Sequence, residues 1–178
     1  VIKVNQVFFS IVIGLAQGSQ PVESFNYGAE KYDRVWKAYR LAATAGVIIS
    51  VISFALFQIF PRQILSLFGT GTAEYFEFGV RFFRIYLFFI WLDALQPITS
   101  TFFTSIGKPA KGIFLSLTRQ IIFFVPLLLI LPVFLGVDGC IYTGPIADFV
   151  AAMVTIVMAV LEFRKMPKTA VIREYGNR

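Results

Sequence analysis

Apolar residues gather into five blocks separated by short polar stretches: Val4 to Gly18, Leu41 to Phe60, Phe82 to Ile106, Ile113 to Leu135 and Cys140 to Leu161. Leu41 to Phe60 carries no charge, and neither does Ile121 to Val137. A helix needs about 20 mainly apolar residues to cross the roughly 30 Å hydrocarbon core of a bilayer. Membrane-spanning strands are shorter and alternate polar with apolar positions, which these runs do not. The pattern therefore predicts an all-α polytopic membrane helix bundle with about five transmembrane helices.

The polar stretches punctuate the blocks. Asn26-Tyr27-Gly28 reads as a turn ahead of a short charged helix, in which Glu30 with Arg34 and Asp33 with Lys37 are acid-before-base pairs four apart, worth about 0.2–0.5 kcal/mol each. Pro61 ends the second block, Gln63 to Phe68 predicts an interfacial helix stopped by Gly69 and Gly71, and Glu74 and Glu77 fall to the same connection. Gly107-Lys108-Pro109 and Gly136-Val137-Asp138-Gly139 are tight turns, which force the helices they join to lie antiparallel. Pro126 and Pro132 predict kinks in the fourth helix. Residues 1–163 are read as a membrane lobe and 164–178 as a basic tail.

Composition agrees: 57% of residues are hydrophobic and 15% charged, against about 45–50% and 25% in soluble domains. The net charge of +6 first suggests nucleic acid, but its placement excludes that reading. The cations lie between and after the apolar blocks, not in a patch interleaved with aromatics. Lys31, Arg34, Lys37, Arg40, Lys108, Lys111, Arg164, Lys165, Lys168, Arg173 and Arg178 fall on one side, and Arg62, Arg81 and Arg84 on the other. Lys and Arg mark the cytoplasmic loops, so the expected location is the cytoplasmic membrane, multi-pass, with the C-terminus inside. Cys140 is the only cysteine and there is no histidine, so an intrachain disulfide is excluded and no metal site is expected. The first apolar stretch carries Lys3, Asn5 and Gln6 with no cleavage pattern after it; it reads as part of an incomplete product whose upstream partner helix is missing, not as a signal peptide.

An ionisable group at the bilayer centre costs about 2.5–3.5 kcal/mol on insertion scales, so each one needs a reason. Asp93, Gln96, Pro97, Ser100 and Thr104 recur at helical spacing and share one face. Pro97 lacks the N–H that would bond the Asp93 carbonyl, so an opened turn would offer a cation both carboxylate and carbonyl oxygens. Two readings of Asp93 stand side by side, an ion-path carboxylate or a hydrogen-bonding anchor between helices. Gln6, Ser10, Gln17 and Gln20 form a similar stripe in the first block, where Gly14 and Gly18 have the spacing of a helix-packing face. Asp148 is read as structural, on a ridge with Thr143, Ala147 and Ala151. Arg119, about 10 Å along the helix from Gly112, is expected to snorkel to the cytoplasmic headgroups. Enzyme chemistry has little to stand on: Asp93 and Asp148 are the sole candidate pair and neither sits in a catalytic motif.

Specific strings then matter. Gly14-Leu15-Ala16-Gln17-Gly18-Ser19-Gln20-Pro21, Phe25-Asn26-Tyr27-Gly28-Ala29, Tyr32-Asp33-Arg34-Val35, Phe102-Phe103-Thr104-Ser105-Ile106-Gly107-Lys108, Leu117-Thr118-Arg119-Gln120 and Gly144-Pro145-Ile146-Ala147-Asp148 together resemble the multidrug and toxic compound extrusion (MATE) family of antiporters. The resemblance implies twelve spans in two lobes, of which this chain would supply spans eight to twelve, the C-terminal lobe without its first helix. It implies drug efflux coupled to H+ or Na+ entry, with the bilayer, the N-terminal lobe and amphipathic or cationic small molecules as partners, and no cofactor. In one branch of the family an acidic residue of the tenth span belongs to the cation site, and Asp93 lies in the matching span. Gln17, Gln96, Ser100, Thr104 and Tyr86 are the candidate cavity-lining residues, with Phe89 and Trp91 as further aromatics for an amphipathic cation. The alternatives are a lipid-linked oligosaccharide flippase of the same superfamily, whose cavity would carry more cations, and a non-transporting membrane scaffold.

Overall fold

In the computed structural model, which describes residues 2–166, the first apolar block belongs to a longer helix, α1 (Ile2–Gly28). The expected turn at Asn26 to Gly28 is instead the last turn of α1, because Asn26 bonds back to the Val22 carbonyl at 2.8 Å and Ser24 reaches across to the Ser105 carbonyl at 2.9 Å. The chain turns at Ala29-Glu30, with Glu30 at φ 57°. The charged stretch and the second block are one helix, α2 (Tyr32–Ile59). Glu30 thus lies outside the helix that carries Arg34, and the ion pairs among the described residues form elsewhere. Short α3 (Pro61–Phe68) follows, opened by Pro61 and ended at Gly69 as the sequence predicts.

The third rod starts earlier than expected. Thr72 accepts from the Tyr75 N–H and caps α4 (Ala73–Tyr86), so Glu74 and Glu77 lie in a helix and not in the connection. The rod then breaks into α5 (Ile90–Asp93) and α6 (Leu95–Ser105). The interruption at Ala94 falls where Pro97 leaves the Asp93 carbonyl without its helical donor. The fourth rod, Pro109–Leu135, comprises α7 (Pro109–Leu117), a π-helical segment over Thr118–Phe124 and α8 (Val125–Leu135). Gly136 turns the chain at φ 63° into α9 (Val137–Lys165). The expected basic tail beyond residue 166 lies outside the described residues.

Three of these helices, Tyr32–Ile59, Pro109–Leu135 and Val137–Lys165, are each long and apolar enough to cross a membrane. Helix α8 buries none of its residues, and Val133 and Phe134 are each 79% exposed. In water such a surface would be prohibitive; against lipid tails it is neutral, so the face reads as lipid-facing. The buried core is built of Phe8, Val12 and Ala16 from α1, Val35 and Tyr39 from α2, and Phe83, Ile98, Phe102 and Phe103 from the broken rod. The Tyr39 and Thr99 hydroxyls pair across α2 and α6 at 2.7 Å. At the end bearing the Gly107 turn, Glu162 of α9 takes both Lys108 and Lys111, and Phe163 lies 5.0 Å from Phe102.

Gly14 and Gly18 do not bring helices together here: a Cβ at either would meet nothing within 4 Å. Close approach occurs instead at Gly112, where a Cβ would lie 2.6 Å from the Ser100 carbonyl oxygen, and at Gly139, 2.5 Å from that of Leu131. The ridge of Thr143, Ala147 and Ala151 on α9 is buried, as expected of a packing face.

Glu23 is an anomaly in this interior. It is 0% exposed, and neither carboxylate oxygen has a hydrogen-bond partner among the described residues. An unsatisfied buried polar group costs about 1–3 kcal/mol, more when charged. Glu23→Leu should therefore raise the thermal midpoint of the chain in detergent; a lowered midpoint would mean that the carboxylate has a partner which the leucine removes.

Candidate functional site

Asp93, Arg119 and Asp148 come from three different rods and meet inside the bundle. Arg119 lies ten residues along its rod from Pro109, about 15 Å at 1.5 Å per residue. The rod changes phase just beyond it, in the π-helical segment. Val125 N–H bonds the Gln120 carbonyl, five residues back, while Pro126 can donate no bond at all. The wider turn adds a residue and rotates the remainder of the rod by about 100°. Arg119 consequently faces inward while α8 faces lipid.

Arg119 holds Asp148 with both Nε, at 2.8 Å, and an Nη, at 2.6 Å, on the same carboxylate oxygen. The same Nη lies 3.6 Å from an oxygen of Asp93, within ion-pair range but beyond hydrogen-bond distance. Phe9 of α1 covers the guanidinium, with 5.0 Å from its ring centre to the Arg119 Cζ. Side-chain exposure is 3% for Asp93, 4% for Asp148 and 17% for Arg119. Arg119 therefore does not snorkel, and Asp148 is not merely a residue on a packing ridge. One guanidinium stands between two carboxylates, leaving a formal surplus of one negative charge when both are ionised.

A cleft of about 400 Å³ opens beside this cluster, lined by Phe9 and Ile13 of α1, Gln96 and Ser100 of α6, and Arg119 and Gln120 of the π segment. Gln96 makes no side-chain hydrogen bond among the described residues and is free for a ligand. Ser100 is partly engaged, donating to the Gly112 carbonyl at 2.8 Å and pairing with Ser116 at 3.0 Å. Of the other expected cavity residues, Thr104 is exposed one turn further along α6, bonded to the Ser100 carbonyl at 3.2 Å. Gln17 is exposed on α1, away from this cleft. Tyr86 stacks on Phe82 at 5.1 Å and fills the space left by Gly144 on α9. Phe89 lies against Phe149, 5.4 Å between ring centres, and Trp91 is on the surface. Along the polar face read from Asp93 to Thr104, Asp93 pairs with Arg119, and Gln96 and Ser100 line the cleft whose wall Arg119 shares.

The sequence reading singled out Arg119 but sent it to the headgroups, and it gave no site role to Gln120 or Phe9. A signal for Arg119 was present, since a cation so deep in a span is satisfied by intramembrane carboxylates and two stood in neighbouring segments. Nothing in the sequence pairs Phe9 with it. Among the described residues no group of three metal-ligating side chains suited to an ion occurs.

The fold has counterparts among known proteins. The family model MatE matches residues 1–130. The solved structure of the MATE multidrug transporter DinF-BH superposes with a TM-score of 0.84 at 33% identity, covering 89% of this chain and 35% of that one. A multidrug resistance MATE family transporter of the MOP superfamily in an outward-facing conformation gives 0.85 at 22% identity, over 93% of this chain and 38% of its own. One in an inward-facing conformation gives 0.85 at 21%, over 94% and 39%. This chain therefore spans about 35% of the length of DinF-BH. No curated protein matches it.

Proposed function

This chain belongs to the MATE family of transporters, and on that premise we propose that it serves as the C-terminal lobe of a secondary multidrug exporter in which a cation, H+ or Na+, exchanges at Asp93 against an amphipathic or cationic drug. The observation that carries the reading is the buried cluster of Asp93, Arg119 and Asp148 beside the cleft. A buried structural ion pair needs one acid for one base; the second acid leaves a negative charge that costs several kcal/mol unless something neutralises it. A proton or one monovalent cation is sufficient. Asp93 is the acid that accepts it, because Asp148 already holds Arg119 at hydrogen-bond distance and Asp93 does not.

Asp93 also sits next to the break at Ala94. Its loading loosens the tie between α5 and the π segment at a place where backbone bonding is already interrupted, so charge at Asp93 is coupled to the bend of the third rod and hence to the cleft. Alternating access then proceeds by rocking of this lobe against its N-terminal partner, with the bend of the third rod as its adjustable part. Gln96 and Ser100 orient the substrate, while Phe9 and Ile13 supply apolar wall. The membrane in question is the cytoplasmic one, with the C-terminus inside, on the asymmetry of Lys and Arg.

Arg119 on the cleft wall also invites the flippase reading, since a guanidinium there would meet a pyrophosphate. The two carboxylates beside it reverse the local charge and favour a cationic substrate. In the full-length transporter, Asp93→Asn should abolish energised efflux of a cationic dye while membrane insertion stays normal, because the uncharged amide leaves a neutral Arg119–Asp148 pair. Unchanged drug resistance in that variant would sink the assignment.

A further inference from the structure

The cations on the side assigned to the outside are Arg62, Arg81 and Arg84. They are not dispersed: all three line one cavity of about 560 Å³ between the end of α2, the start of α3 and the face of α4. We propose that this cavity is a binding site for the headgroup of an anionic phospholipid, with the phosphodiester held by Arg62 and Arg84. The inference stands on the membrane reading alone and not on the transport mechanism.

Height comes first. Helix α2 ends at Ile59 and Pro61 turns the chain into α3, so the cavity lies at the end of a membrane-crossing helix, where headgroups sit. Charge comes second. Three arginines face one acid on the lining, Glu77. Arg81 is spoken for, 3.3 Å from Asp138 at the start of α9, whereas Arg62 and Arg84 have no carboxylate within ion-pair distance among the described residues. Two free guanidinium forks suit phosphate oxygens. Shape comes third. Ile59, Val80 and Ile85 share the lining with the arginines, and Ile59 is 65% exposed, so an acyl chain can run down an apolar wall from a phosphate at the rim. A soluble anion would make no use of that wall. A choline or ethanolamine headgroup would bring a cation into a surplus of cations, which favours an anionic lipid.

A basic side chain at an anionic lipid surface contributes about 1 kcal/mol, so two should give a preference on the order of 10- to 30-fold. Native mass spectrometry of the chain released from micelles doped with equal phosphatidylglycerol and phosphatidylcholine reads this directly. The wild type should retain phosphatidylglycerol by that margin, Arg62→Ala/Arg84→Ala should bring the two lipids to parity, and Arg62→Lys/Arg84→Lys should keep most of the preference. Glu77→Gln, which removes the acid on the lining, should increase it. A preference that survives the double alanine change, or is unmoved by Glu77→Gln, overturns the site. Displacement of phosphatidylglycerol by glycerol 3-phosphate at equal concentration would overturn it too, by showing a soluble-anion site. Lys31→Ala/Arg34→Ala, at the opposite end of α2, should leave the preference intact; if it does not, the selectivity belongs to general charge and the proposal fails.

Discussion

Arg119→Ala should destabilise this lobe by about 3–5 kcal/mol, the usual cost of removing one member of a buried ion pair. The loss of packing is the smaller part, since the side chain is already partly open to the cleft at 17% exposure. The larger part is what remains: two carboxylates, 3% and 4% exposed, deprived of the cation between them. They can persist only by taking up protons, so thermal unfolding of the variant in detergent should become strongly pH-dependent, with stability lost as pH rises. Arg119→Lys keeps a charge but not the two-nitrogen grip on Asp148, and should fall in between. The decisive comparison is Asp93→Asn/Arg119→Leu/Asp148→Asn. With no charge left to bury it should regain most of the lost stability, because replacing a whole buried ion cluster is often neutral or better, yet it should remain inactive in efflux. If the triple variant is as unstable as Arg119→Ala, the cluster matters for its shape and not for its charges.

That cluster also shows how far the sequence could be read. The five rods were legible because hydrocarbon imposes a length and a composition that few other environments impose, and the tight turns at Gly107 and Gly136 stand where their glycines put them, at φ 75° and 63°. Depth along an ideal helix was a poorer guide. It assigned Arg119 to the headgroups on its distance from Gly112, but depth says nothing of which way a side chain faces or of the carboxylates, Asp93 and Asp148, that other rods bring to it. The rod ends were misplaced for other reasons: Asn26 looks like a turn residue by type, a weak preference that bonds such as the one from Ser24 to the Ser105 carbonyl override, while Glu74 and Glu77 were assigned to the connection by their charge although glutamate forms helices well and Thr72 caps the helix that holds them. Gly14 and Gly18 have packing spacing and no packing neighbour in this chain. Asp93 and Gln96 are three apart, and Arg119, the partner of Asp93, lines the same cleft as Gln96; the spacing alone could not say that an arginine of another rod would stand between them.

Gly139→Val should be the most damaging change outside the charged cluster. Gly139 sits in the first turn of α9, and the space its side chain would need is filled by backbone: the Leu131 carbonyl carbon and oxygen at 2.5 Å and the Pro132 nitrogen at 2.7 Å from a Cβ. A clash with the tip of a flexible side chain is relieved by a rotamer change, but here the obstacle is the main chain of α8, fixed further by Pro132. Relief requires prising α8 from α9. Overpacking of a tight interior costs about 1–3 kcal/mol and occasionally more, and this case belongs at the upper end because Gly136 ties the two helices only three residues away. The consequence extends beyond stability, since Asp148 lies on the same helix and about 13 Å further along it. Displacing the start of α9 moves Asp148 relative to Arg119, where bonds at 2.6 and 2.8 Å tolerate little shift. The variant should therefore lose both thermal stability and efflux, whereas Gly14→Ala, with open space around it, should lose no stability. Equal stability of Gly139→Val and the wild type would mean that α8 and α9 are not apposed as described, and the meeting of Arg119 with Asp148 would have to be rebuilt with them.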